Sequence, residues 1–413
     1  MPNGVPMSWL QNSYQPVPMF VSEGAGSRFR DVDGHEYADF NIADMSMFTG
    51  YGPAPVVAAV ARAVAAGAQF MLPGEDSIWV AEELQRRYGM PQWQFTLSAT
   101  TANTEAIRVA RAITGRDAVL FFDGHYHGHL DESLVELIDG VPVAEESGLP
   151  RDAAARTVLA PFNDIATVRQ LLADHRIAAV VTEPAMTNNV GLVLPDPDFH
   201  DALRDATRAA GALLVVDETH TQVVGPGGLT SRWGMSPDIV TIGKSIAAGI
   251  PLGAYGMTTE IAAVLQRPLG RDDPKPLVAT GGTLFGNPLS MAAARAAMGE
   301  VLTDAAYENS QSQGNRLASG LEKLVTANGL PWSVHRFWPR SGYSFSPTPP
   351  RSGAVAVAAL DQQLRRLMRV YLANRGVWDA IVGAGPTCSV ATTTADVDLY
   401  LAVFGELLAE LTA

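Results

Sequence analysis

The stretch IVTIGKSIAAGIPLGAYGMTT, residues 239–259, holds a single charge, Lys244. Three readings compete for that lysine. Its long stem could snorkel and carry the ammonium to water. The stretch could span a membrane, but Gly243, Gly249, Pro251, Gly253 and Gly256 would interrupt a helix, and a mid-bilayer lysine is costly. Or the lysine is chemical: an amine withdrawn from water among apolar neighbours loses its proton more readily and becomes a nucleophile. The flanking sequence decides between them.

The run PDIVTIGK (237–244) is one of a series that includes AVLFF (118–122), AAVVTE (178–183), ALLVVDE (212–218) and GAYGM (253–257). Helical stretches such as NTEAIRVARAIT (103–114) and DFHDALRDATRAAG (198–211) lie between them. Continuous apolar runs interleaved with helices read as parallel strands buried on both faces, hence an α/β fold. Upstream, SRFRDVDGHEYADF (27–40) reads as a hairpin and PVVAAVARAVAAG (55–67) as a helix. Beyond Pro288 the pattern turns helical (291–302, 315–329), passes a Pro/Ser/Gly-rich loop (339–353), and ends in the long helical stretch 360–376. We therefore expect a large domain over 46–287 and a smaller C-terminal domain over 288–413, with the N-terminal segment 1–45 packing against the latter.

Composition narrows the function. At 413 residues, 47% hydrophobic and 17% charged, the chain is a well-buried globular protein without a disorder signature. A net charge of −14 argues against nucleic acid or an anionic membrane as partner. Cys388 is the only cysteine, so no intrachain disulfide can form. The opening MPNGVPMSWLQNSYQ has neither a basic region nor a continuous apolar run of the signal-peptide kind, and a cytoplasmic location is expected.

Three strands end in polar residues: Glu183, Asp217 and Lys244. Ligands of open parallel sheets sit outside the carboxyl ends of the strands, so two acids and a lysine would meet at one edge. In FTLSATTANTEAIRVAR (95–111), a strand runs through Ser98, Ala99 and Thr100 into a helix whose first N–H groups and dipole suit a phosphate. In FFDGHYHGHLDE (121–132), His125, His127 and His129 could suggest a metal, but the glycines argue for a loop and companion ligands are missing. We expect no metal there. Tyr126 is better placed to lay its ring over a planar ligand.

A lysine nucleophile, a buried aspartate, a phosphate cradle and an aromatic platform are what pyridoxal 5′-phosphate requires. On TGRDAVLFFDGHYHGH, GALLVVDE, PDIVTIGKSIAAGIPLGAYG and GGTLFGNPLSMAA, in that order, the chain resembles the class III aminotransferases of fold type I, in the branch of glutamate-1-semialdehyde aminomutase and the β-amino-acid aminotransferases. The resemblance runs from about Gly34 to the C-terminus. It implies a mainly parallel seven-stranded sheet flanked by helices, plus a smaller α+β domain. Lys244 resembles the Schiff-base lysine and proton shuttle, and Asp217 the carboxylate that keeps the pyridine nitrogen protonated. Ser98, Ala99 and Thr100 match the phosphate loop, Tyr126 the residue stacking on the ring, and Glu183 the glutamate of a Glu-Pro pair that orders the pocket. Thr283 matches a threonine that reaches the phosphate of the neighbouring subunit, which implies a homodimer.

The departures are informative. Ala99 stands where glycine is usual and Thr101 where glutamate is usual, so the phosphate loop could sit differently. Thr219 replaces a valine that packs on the ring face, and His220 falls where some members place a glutamine that bonds the ring hydroxyl. About one more helix usually precedes this N-terminal region, so either it is absent here or the start is misassigned. Residues 377–413 contain no Lys or Arg, and Trp9 stands where β-amino-acid enzymes have an arginine that grips a carboxylate. Met7, Trp9, Tyr14 and Phe48 are expected to form an apolar, aromatic substrate pocket. Small amines or amino compounds, with keto acids, aldehydes or ketones as acceptors, are the expected substrates. An intramolecular aminomutase or a racemase would use the same residues. A non-enzymatic paralogue would need a lost lysine or aspartate, and both are present.

Overall fold

The computed structural model describes residues 1–13, 19–145, 147–150, 152–188, 190–266, 268–270, 273–276, 278–379 and 383–413. Its centre is a seven-stranded sheet built from β1 (Gln92–Thr96), β2 (Ala118–Phe122), β3 (Thr157–Ala160), β4 (Ile177–Thr182), β5 (Leu213–Asp217), β6 (Ile239–Ile242) and β7 (Gly253–Met257). The strand order is β1-β7-β6-β5-β4-β2-β3. Pairs β2/β3, β2/β4, β4/β5 and β5/β6 are parallel. The run GAYGM departs from the parallel expectation, because β7 lies antiparallel to both β6 and β1. Strand β3 had no match among the runs picked out above; TVLA is short and its helix-like neighbours mask it.

Alternate residues of the buried strands face two cores. Val119, Phe121, Val181, Val215 and Ile239 pack against Ala102, Ala106, Ile107 and Ala110 of helix α1 (Ala99–Thr114). Leu120, Phe122, Val180, Leu214 and Val216 pack on the opposite face with Val168, Leu172, Phe199 and Leu203. Each fully buried side chain of this kind contributes about 1.5–3 kcal/mol. Full burial on both faces is why these strands read as unbroken apolar runs. In the register, Val216 lies beside Thr182 and Asp217 beside Thr241. The ends of β4, β5 and β6 are therefore level, and their next polar residues emerge along one edge.

The N-terminal hairpin, Arg28–Asp31 with Glu36–Asp39, joins Val21–Ala25 and Val377–Trp378 in a four-stranded sheet. Its Ala38 and Phe40 pack with Leu317, Leu321, Leu372, Tyr400, Phe404 and the buried thiol of Cys388. Helix α2 (Pro288–Ala296) continues through a π-turn, Ala297–Val301. Its Met291, Ala294 and Met298 pack against Leu84, Trp93, Ile242 and Phe48. Phe48 is fully buried in that core, with its ring 5.6 Å from Tyr307. Its expected place in a substrate pocket is corrected: a phenylalanine with no exposed surface serves the core. Among the described residues, no helix is long and apolar enough to cross a membrane.

Candidate active site

The strand ends open onto a cavity of about 380 Å³, lined among others by Ser98, Ala99, Thr100, Tyr126, Glu183, Asp217, Thr219, His220 and Lys244. Residues far apart in the chain meet here because β4, β5 and β6 end level, while β1 delivers the start of helix α1 to the same edge.

Asp217 is buried, and each carboxylate oxygen is occupied. Oδ2 accepts from Asn103 Nδ2 at 2.8 Å and His127 Nδ1 at 2.9 Å, and Oδ1 from the Thr219 amide at 3.0 Å. Burial alone would raise this carboxyl; the His127 hydrogen bond and field, with Thr219, outweigh it and hold Asp217 below the usual carboxylate range. Asn103 is itself locked, donating to the His127 carbonyl and accepting from Thr241 Oγ1 at 2.6 Å. Neither Asn103 nor His127 was read as a partner of Asp217. The available signal was spacing, since Asn103 lies one helical turn after Ala99 and shares its face. Glu183 is held by Thr187, whose amide and hydroxyl both donate to it. Burial raises its carboxyl above the usual range, and the Thr187 hydrogen bonds oppose that.

Lys244 follows β6 with φ +54°, and its Nζ meets polar company that its apolar sequence neighbours do not disclose. It donates to the Asp44 carboxylate and lies 2.7 Å from His220 Nε2. His220 is buried, and its Nδ1 lies 3.0 Å from Arg340 Nη1. Burial, then the charges of Lys244 and Arg340, push His220 well below the ordinary histidine range, so the ring is neutral. Arg340 is 2% exposed and pushed down to about 10 by burial, against the fields of Asp44 and Glu183. Arg340 and the Lys244 ammonium both only donate, and the neutral ring has one unprotonated nitrogen, so His220 accepts from one of them at a time. Asp44 was not foreseen. It lies in a left-handed turn, Ile42–Met45, with φ of 44°, 48°, 51° and 66° and no glycine to announce it. The buried Asp39 holds the entry to that turn, accepting from the Asn41 and Ile42 amides and from Tyr51 Oη.

On the opposite wall, Ser98 caps helix α1. Its Oγ accepts from the Thr101 amide, and Thr101 Oγ1 accepts from the Ser98 amide at 3.1 Å. Thr101 thus performs the capping that a glutamate at this position commonly does. Ala99 fits because residue 243 is glycine: a Cβ there would lie 2.9 Å from the Ala99 Cβ and 2.8 Å from its nitrogen. The residues suit pyridoxal phosphate. A helix start faces the cavity for an anion, a buried carboxylate faces it for a cationic ring nitrogen, and the buried Thr219 Oγ1 has no hydrogen-bond partner among the described residues.

Other expectations resolve individually. Trp9 lines the cavity, its ring 5.4 Å from that of Tyr126. Met7 is 53% exposed and, like Phe48, is absent from the cavity wall. Tyr14 lies outside the described residues. Thr283 is exposed away from this cavity, and its carbonyl accepts from Gln69 Nε2. Among the described lining residues there is no arginine. Arg232 lies over Trp338 and Arg336 pairs with Glu322, while Arg340 stands behind His220.

The sequence model of the class-III aminotransferases matches residues 9–334. A curated glutamate-1-semialdehyde 2,1-aminomutase of Anaeromyxobacter sp. (strain K) is 36% identical over 351 residues, covering 83% of this chain and 79% of its own. Among solved structures, a glutamate-1-semialdehyde-aminomutase from Pseudomonas aeruginosa PAO1 superposes with a TM-score of 0.94 at 38% identity, covering 100% of this chain and 92% of its own. A lysine-to-alanine variant of that enzyme was solved in complex with PMP. An omega-transaminase from Sphaerobacter thermophilus gives a TM-score of 0.90 at 30% identity, over 100% of this chain and 95% of its own.

Proposed function

This chain belongs to the class-III aminotransferases, fold type I enzymes that use pyridoxal phosphate and act on small amine and keto substrates, and from that premise we propose that it is a transaminase whose donor carries no carboxylate beside its amino group. The observation behind this reading is the lining of the cavity: Trp9 and Tyr126 form an aromatic wall, and no arginine is among the described lining residues. Enclosing a carboxylate there would leave a buried charge unpaired, at a cost of several kcal/mol.

Bound in the cavity, pyridoxal phosphate supplies an aldehyde that links to amino groups and a ring that draws electrons from the attached carbon. The chain's residues do the rest. Ser98, Ala99, Thr100 and the start of helix α1 receive the phosphate. Asp217, ionised and fixed by Asn103 and His127, keeps a proton on the ring nitrogen. Tyr126 and Thr219, both in the cavity wall, would hold the ring between them. With the cofactor bound and Nδ1 accepting from Arg340, His220 would present Nε2–H to the ring hydroxyl, and Glu183 orders the turn that carries Thr187. Lys244 carries the covalent attachment and, once released, holds and moves the proton at the donor carbon. Thr283, exposed away from its own cavity, would reach the phosphate of a second copy in a homodimer. The division of the chain at 45/46 and 287/288 belongs to the same proposal.

A second reading is an intramolecular aminomutase, favoured by the names of the relatives. It predicts turnover of one substrate without a co-substrate. The test is kcat/KM for 1-phenylethylamine against phenylalanine and β-phenylalanine, with pyruvate as acceptor, in the wild type and in Arg340→Ala. The amine should lead by at least about ten-fold, or about 1.4 kcal/mol. Strong preference for either amino acid, abolished by the substitution, would mean that Arg340 is the carboxylate clamp and would overturn the reading.

A further inference from the structure

Among the described lining residues of the cavity, three are carboxylates: Asp44, Glu183 and Asp217. Glu183 and Asp217 are buried and committed to partners within the protein. Asp44 differs from both. Its side chain is 53% exposed, it is brought to the cavity by the left-handed turn Ile42–Met45, and its contacts there are the Lys244 ammonium and, at 3.9 Å, His220 Nε2.

Resting on the functional reading above, we propose that Asp44 is the docking group for the ammonium of the donor, and that it selects cationic amines over amino acids with an adjacent carboxylate. Geometry carries the argument. In transamination the docked ammonium would pass one proton to the lysine-linked nitrogen, and the amine so formed would then replace that nitrogen on the same cofactor carbon, with Lys244 leaving as its free amine. The donor nitrogen must therefore arrive where Lys244 Nζ lies, within hydrogen-bond reach of Asp44. Condensation of the Lys244 amine with the aldehyde forms a carbon–nitrogen double bond and expels water. The linkage then offers Asp44 at most one N–H, where the ammonium offered three. An incoming ammonium restores the donors that Lys244 has withdrawn. His220 is neutral, and the Arg340 cation, whose field reaches Asp44, bonds His220 and not the carboxylate, so Asp44 keeps hydrogen-bond positions open to an arriving cation. A carboxylate next to the donor nitrogen would be carried toward Asp44 and repelled, and no arginine among the described lining residues offsets that.

The test uses the loaded wild-type enzyme, Asp44→Asn and Asp44→Gly. Both substitutions suit a left-handed backbone, so the turn is kept while the charge is removed. The first measurement is calorimetric binding of N,N-dimethyl-1-phenylethylamine, a tertiary ammonium that cannot form the covalent link. Its affinity should fall at least five-fold in both variants. The second is kcat/KM for 1-phenylethylamine and for phenylalanine. The amine should lose at least ten-fold, mainly through KM, and phenylalanine should lose less than three-fold or gain. Unchanged binding in both variants, or an equal fall for both donors through kcat alone, overturns the proposal and leaves Asp44 as a part of the turn. If the wild type aminates pyruvate from no amine yet binds the tertiary ammonium through Asp44, the transaminase reading falls and the docking assignment stands.

Discussion

Asp217→Asn keeps the shape of a side chain that the surroundings hold from three directions. The carboxylate accepts from Asn103, His127 and the Thr219 amide, and it offers no hydrogen of its own. An asparagine presents one oxygen and one NH2. His127 can answer by moving its proton to the other ring nitrogen. Asn103 cannot turn round without giving up both the His127 carbonyl and Thr241 Oγ1. Whichever way the new amide points, one buried N–H, of Asn103 or of Thr219, faces another donor. A buried donor deprived of its acceptor costs about 1–3 kcal/mol, and this should appear in urea unfolding of the cofactor-free protein. Turnover should fall by roughly 10²–10⁴-fold, a range typical when a group that supports proton transfer is lost. In a double-mutant cycle with Asn103→Ala, the two stability losses should fall short of additivity by at least about 1 kcal/mol, and none of the rate should return. A variant of wild-type stability and near-normal turnover would refute this account and reduce Asp217 to a strand-end partner of His127.

Two further outcomes follow from the same side chains. Borohydride treatment of the loaded enzyme should fix the cofactor on Lys244; label on Lys275 or Lys323 would remove Lys244 from its role, and Lys244→Ala should lose roughly 10²–10⁴-fold in activity or more. Glu218, buried behind the site and hydrogen-bonded to Thr221 at 2.5 Å, is pushed up from 4.5 to about 7 by burial. A raised carboxyl contributes stability that is complete below its unfolded value and is lost as pH rises through the folded one. Between pH 4.5 and about 7 the cofactor-free protein should therefore lose up to about 3 kcal/mol through this group. Glu218→Gln should flatten that decline, and denaturant midpoints across the range would show whether it does.

Most of the sheet was legible because burial on both faces leaves a pattern that composition alone cannot imitate. The strands within PDIVTIGK and ALLVVDE are mostly apolar up to Asp217, the last residue of β5, and Lys244, two residues past β6, so the strand and its functional end are read together. Direction is a different matter. GAYGM is buried like its neighbours, and nothing in its side chains records that it runs antiparallel. The site divides in the same way. Lys244, Asp217, Tyr126 and the helix start lie next to strand ends and were found there. Asp44 comes from a turn whose other three residues, Ile42, Ala43 and Met45, take positive φ where sequence rules expect glycine, asparagine or aspartate. Trp9 and Phe48 looked alike as aromatics near the N-terminus, but only the packing of Phe48 under Tyr307 separates a wall residue from a core residue.

The position of Cys388 has a practical consequence. The chain's one thiol is sealed among Phe40, Leu317 and Tyr400, and burial raises it further from the reactive thiolate form. The native surface is thus already free of thiols, and a cysteine placed on it is the sole target for a maleimide dye. Ser8, exposed beside Trp9, is one such position. A fluorophore there would report the arrival of a ligand at the aromatic wall without a background of native labelling.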